Sequence, residues 1–230
     1  MFSPTALELE ALYLSLKVAL WSVLITLPLG LLFAWILARK NFYGHALLNG
    51  IIHLPLVLPP VVVGFFLLSL LGRQGPVGVF LHDAFGLTVA FTWQGAAIAS
   101  SIMAFPLMVR AIRLSIENVD SGLEAAARTL GASPFRVFYS ITLPLISPGI
   151  LAGIILAFAR SLGEFGATIT FVSNIPGETR TLPLAIFSLV QTPSGDAGAL
   201  RLVVFSIILA LVALLISEYL AARAKRRIEG

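Results

Sequence analysis

The sequence contains no cysteine, which excludes a disulfide framework, a thiolate metal site and a thiol nucleophile. Charge is scarce too. Only 11% of the 230 residues are Asp, Glu, Lys or Arg, against about 25% in an average soluble domain. Histidine is limited to His45, His53 and His82, which lack metal-ligand spacing, so no metal site is expected. No G-x-x-x-x-G-K-S/T stretch is present to cradle nucleotide phosphates. No nucleophile and base stand at a meaningful spacing, so the chain is not expected to be an enzyme. What fills the space is apolar: 58% of residues are hydrophobic and the mean hydropathy is +0.99. Such a composition belongs in a membrane. The net charge of +4 is no sign of nucleic acid, because blocks as apolar as Val57–Leu71 would have to be solvated beside it. The basic residues are topology signals instead.

A crossing needs about 20 apolar residues to cover a hydrocarbon core of about 30 Å. Five stretches qualify: Leu12–Ala38, Ile51–Leu71, Leu87–Val109, Leu145–Arg160 with its neighbours, and Leu202–Ala222. The first follows Glu8 and Glu10 rather than a basic segment, so it is expected to be a mature span and not a cleaved signal. Leu182–Val190 is too short to cross and is expected to lie at the interface or to re-enter. No polar linker divides the chain, so residues 1–230 are expected to form one all-α integral membrane domain.

Ten of the fifteen Lys and Arg residues fall on one side of this arrangement: Arg39, Lys40, Arg110, Arg113, Arg128, Arg136, Arg223, Lys225, Arg226 and Arg227. Because such residues are held in the cytoplasm during insertion, the expected topology has the N-terminus outside and the C-terminus cytoplasmic. Span four carries Gly149, Gly153, Ala157 and Ser161 at every fourth position, and span three carries Ala96, Ser100 and Ala104. Stripes of small residues allow close helix approach. They suit packing within the chain, a dimer face or a pore.

Between spans three and four, residues 114–144 are too polar to cross yet include Ser121-Gly-Leu-Glu-Ala-Ala-Ala-Arg-Thr-Leu130 before Gly131. This predicts a short amphipathic helix. Asp120 or Ser121 can cap it, Glu124 suits the positive end of its dipole, Ala125, Ala126 and Ala127 propagate it, and Gly131 can end it in the left-handed conformation. A helix of this kind on the inner face is a docking element that passes rigid-body motion into the flanking spans.

Glu124-Ala-Ala, Gly131 and Ile141-Thr-Leu-Pro144 resemble the cytoplasmic EAA loop of permease subunits of bacterial ABC importers. In that family the loop is the coupling helix that seats in a cytoplasmic ATPase. The general pattern puts Glu six residues before Gly, whereas Glu124 is seven before Gly131, which turns its carboxylate by one position around the helix. Coupling to the ATPase is therefore expected of Ala125, Ala126, Ala127, Arg128, Thr129, Leu130 and Gly131, and less directly of Glu124. Four further segments resemble the molybdate ABC permeases in particular: His53–Gly64, Phe105–Arg113, Ala126–Gly131 and Arg160–Thr181.

This resemblance implies a type I ABC importer permease in a bacterial inner membrane, a second copy of the chain, ATPase subunits that bind the ATP, and an external molybdate-binding protein. It implies no cofactor of the chain's own. Sulfate, thiosulfate and tungstate permeases are the near alternatives, and an autonomous ion-coupled carrier the distant one. Passing a tetrahedral dianion calls for weak, multiple donors. Thr92, Ser100, Ser101, Ser161, Thr168 and Thr170 are candidates, each with the alternative of bonding back to its own helix. Arg160 and Glu164, four apart, suit either an anion lure or, as favoured here, a structural brace beside a gate.

Overall fold

A computed structural model describes residues 5–229, apart from the side chains of 217, 218 and 220–229. The basic cluster Arg223, Lys225, Arg226 and Arg227 falls among those side chains, outside the described residues. Every regular element described is helical.

The first helix, α1 (Ala6–Arg39), starts at a capping box in which Thr5 and Glu8 satisfy each other's backbone N–H. At 34 residues it is about 51 Å long, more than a crossing needs. The second expected span is not one rod. It is a pair, α2 (His45–Val57) and α3 (Pro60–Leu71), bent by 111°. The cause is Pro59-Pro60, which drives Leu58 (ψ 142°) and Pro59 (ψ 132°) out of the helical region.

A short helix not expected from the sequence, α4 (Pro76–Phe85), follows and stops at Gly86. The third expected span, α5 (Trp93–Glu117), begins six residues later than its apolar run, because Thr92 caps it through Gly95 N–H, and ends eight residues later.

Beyond it lie α6 (Ser121–Thr129), α7 (Pro134–Val137), a π-helical turn at Phe138–Thr142, and α8 (Leu143–Leu162). The wide turn sits just before Pro144, which has no N–H for the carbonyl four residues back and would clash with it. Helices α9 (Gly166–Val172), α10 (Leu182–Val190) and α11 (Asp196–Glu229) complete the order. Among the described residues four helices, α1, α5, the run Pro134–Leu162 and Asp196–Ile216 of α11, are long and apolar enough to cross a membrane, and the bent pair makes up to five.

Helix α5 is the axis of the bundle. Its apolar window is 67% buried, against 11% for that of α11. It packs on α1 and α8, with Met108, Ile112 and Ile116 fully enclosed against Ile146 and Ala157. In lipid such contacts hold by close fit rather than by exclusion of water. The small residues of span four supply that fit within the chain: a Cβ on Gly149 would run into the Ser115 side chain, and one on Gly153 would press on Met108 and Ile112.

Charged groups sort to two ends. Arg39, Arg113, Glu117 and Glu124 stand at one, the Arg39 end. At the other, the Trp93 end, Arg201 binds Glu8 at 2.7 Å, Glu178 accepts from Trp93 N–H, and Leu182 N–H donates to Ser15 Oγ at 2.6 Å, which anchors α10 to α1.

Candidate functional site

The amphipathic segment between α5 and α8 forms as expected. Asp120 Oδ1 accepts from Gly122 N–H at 2.8 Å, and Glu124 stands in the first turn. The far end is a Schellman closure: Gly131, with φ +86°, donates to Arg128 O, and Ala132 donates to Ala127 O, both at 3.0 Å. A second cap follows at once, where Ser133 accepts from Arg136 N–H and Pro134 starts α7.

The helix has two distinct faces. Leu123 and Leu130 are exposed, Leu130 to 88%, together with Ala125, Ala126, Arg128 and Thr129. Phe135 and Tyr139, stacked at 4.7 Å between ring centroids, extend the exposed apolar surface. Ala127 is half-buried. Glu124 is different: it is 8% exposed and turned into its own chain, where Oε1 accepts from Arg39 Nη2 at 2.9 Å and from Thr142 Oγ1 at 2.8 Å. Neither partner was singled out by sequence reasoning. In the sequence Arg39 reads only as a topology signal, and Thr142 lies inside the Ile-Thr-Leu-Pro motif.

The hydroxyl candidates are spread along the bundle. Thr92 caps α5 and donates to Val89 O. Ser101 donates to Ala97 O, Thr168 to Phe165 O and Thr170 to Gly166 O, all back-bonds of 2.6–2.9 Å. Ser161 meets Ser22 Oγ at 2.7 Å and so joins α8 to α1, while the Ser100 hydroxyl is buried without a hydrogen-bond partner among the described residues. Ser100, Ser101, Ser161 and Thr168 are enclosed within the chain; Thr92, Thr170 and Arg160 are half-buried.

Arg160 Nη1 and Glu164 Oε2 are 2.6 Å apart, and Glu164 Oε1 accepts from Ala167 N–H at 2.8 Å. The pair thus clamps the break between α8 and α9. Lys17, a lone cation in an apolar span and overlooked in the sequence, lies 3.6 Å from the Trp93 ring centroid, where its charge meets the ring's negative face. The segment Asn174–Arg180 is tied to α10 and across itself: Asn174 donates to Ser188 Oγ at 2.6 Å and accepts from Arg180 Nε at 2.9 Å. Among the described residues, no group of three or more His, Asp or Glu is placed to hold a metal.

A kinked bundle of long apolar helices, with a capped and solvent-exposed helix on one loop, is the architecture of a polytopic membrane protein. The chain belongs to the family of binding-protein-dependent transport system inner membrane components, which it matches over residues 27–226, and is thus a multi-pass inner-membrane protein. It is 61% identical over 220 residues to the molybdenum transport system permease protein ModB of Escherichia coli (strain K12), covering 96% of both chains. It is 39% identical over 203 residues to the sulfate transport system permease protein CysT of Salmonella typhimurium, covering 87% of this chain and 72% of that one. The fold is also that of a bacterial alginate ABC transporter crystallised with a periplasmic protein, with a TM-score of 0.72 at 22% identity over 97% of this chain and 80% of that chain.

Proposed function

We propose that the chain is the membrane-spanning subunit of an ATP-driven molybdate importer, working as a homodimer with cytoplasmic ATPase subunits and an external molybdate-binding protein. The observation that carries the permease reading is α6: a capped helix with Leu123 and Leu130 exposed, set between α5 and the turn that opens α8. An exposed apolar helix face beside Phe135 and Tyr139 is suited to a groove in a soluble partner. Molybdate is favoured over sulfate by 61% against 39% identity to the respective permeases. In this reading the Arg39 end is cytoplasmic and the Trp93 end faces outward, in keeping with the basic bias.

Transport follows as alternating access. ATP binding closes the ATPase pair, the two α6 helices approach, and the spans open a path outward; hydrolysis returns the path inward. No step needs a cofactor on this chain. Five crossings with one docking helix make half of a two-fold path. Its donors would be groups that reach the chain's surface, such as Thr92 and Thr170, rather than the enclosed Ser101 and Ser161. The Arg160–Glu164 pair is the brace at the α8–α9 break.

The test is uptake of molybdate against sulfate by vesicles carrying the reconstituted complex. Molybdate uptake that requires ATP and resists excess sulfate is expected. Preferred sulfate uptake would move the chain to the sulfate class. Nucleotide-independent transport by the chain alone would make it a carrier. Deletion of residues 123–132 should abolish co-purification of the ATPase.

A further inference from the structure

One oxygen, Glu124 Oε1, receives hydrogen bonds from the last residue of α1 and from the last residue of the π-helical turn: Arg39 Nη2 at 2.9 Å and Thr142 Oγ1 at 2.8 Å. Arg39 also lies 5.7 Å from the Trp35 ring, and Trp35 meets Phe138 of the π-helical turn edge-on at 5.4 Å. The contacts close a circuit from α1 to α6, to the start of α8 and back to α1. We propose that Glu124 is a positioning residue that clamps the docking helix to two spans at once, so that a shift of α6 is delivered to α1 and α8 together.

The clamp rests on the reading of α6 as the ATPase-docking helix, and it explains how a small element moves large ones. Helix α6 has nine residues and is flanked by loops, which by themselves would absorb a displacement rather than pass it on. A charge-assisted bond that is largely shielded from water holds its geometry better than an exposed pair. Here the Glu124 side chain is 10% and that of Arg39 23% exposed. The π-helical turn adds compliance where it is needed. Its wider winding interrupts the regular α ladder at the start of α8, and Thr142 sits at its end, in direct contact with the clamp. The one-residue offset of Glu124 from the general loop pattern fits this role, since it turns the carboxylate inward while Leu123 and Leu130 stay outside.

The experiment uses the whole complex of permease, ATPase and binding protein in proteoliposomes. Molybdate uptake and ATP hydrolysis are read in the same vesicles, together with the amount of ATPase retained on the purified permease. Glu124→Ala is expected to keep the ATPase bound while molybdate moved per ATP falls about tenfold, the scale of an ordinary coupling energy. Glu124→Gln retains an acceptor for Thr142 and should fall between it and the native chain. Thr142→Val should lower the ratio by a few fold, on the order of one lost hydrogen bond.

A folding defect lowers uptake and hydrolysis together and leaves their ratio alone. An unchanged ratio in Glu124→Ala, or in Thr142→Val should the first variant not accumulate, overturns the clamp. Loss of the ATPase from Glu124→Ala also overturns it, because Glu124 would then be a docking contact, with the importer reading intact. A native chain that retains no ATPase defeats the docking reading, and the clamp with it.

Discussion

Replacing Gly131 tests the proposed docking role of α6 through its backbone alone. Gly131 has φ +86°, and a Cβ built there meets nothing within 4 Å, so a substitution clashes with no neighbour. The cost is conformational: about 1–2 kcal/mol for an L-residue in the left-handed region, with Asn the best tolerated of the side-chain-bearing residues. Two hydrogen bonds depend on that conformation, Gly131 N–H to Arg128 O and Ala132 N–H to Ala127 O. A helix of nine residues has no reserve to absorb such a loss, because isolated helices below about 12–15 residues are marginal in water.

An energy of 1–2 kcal/mol corresponds to a change of about 5–30-fold in a population. We therefore expect Gly131→Val to weaken ATPase binding to the solubilised permease about tenfold, with Gly131→Asn within about threefold of native. Gly131→Ala should lie between them. Titration of labelled ATPase gives the affinities, and the amount of permease in the membrane fraction should not differ among the variants. Native affinity in the Val variant, or an Asn variant as weak as Val, would refute the reasoning.

Gly149→Ala should push α8 off Ser115 and the Ala111 carbonyl, at about 1–3 kcal/mol for overpacking; a shortened half-life on heating in detergent, partly restored by adding Ser115→Gly, would show it. Ser161→Ala removes the bond to Ser22, which in lipid averages only about 0.6 kcal/mol. Stability and uptake should therefore stay near native, whereas a large fall in uptake alone would move Ser161 into the path. Leu130→Asp places a charge on a side chain that is 88% exposed and contributes little to the fold. It should abolish ATPase co-purification while leaving the thermal half-life unchanged, and a drop in that half-life would mean the residue packs within the chain.

The bundle and the capped helix α6 were both legible in the residues, for a local reason. Long apolar runs, caps such as Asp120 and Ser133, and a stop at Gly131 are each set by near neighbours along the chain. Boundaries were less legible. Leu87–Phe91 is as apolar as a span, yet the Gly86 stop and the Thr92 cap leave it outside one, and Pro59-Pro60 turns an unbroken hydropathy run into two helices. The small-residue stripes showed that helices approach closely without showing which.

What the linear order determined, then, was membrane residence, the positions of the helices and the presence of a capped helix on the loop between α5 and α8. Tertiary structure alone decided that the span-four stripe faces α5, that Ser161 finds Ser22 from 139 positions away, and that Glu124 points inward. The division has a physical cause. Hydropathy and capping act over a few residues, whereas the partner of a buried hydroxyl or carboxylate is whatever a distant helix brings alongside it.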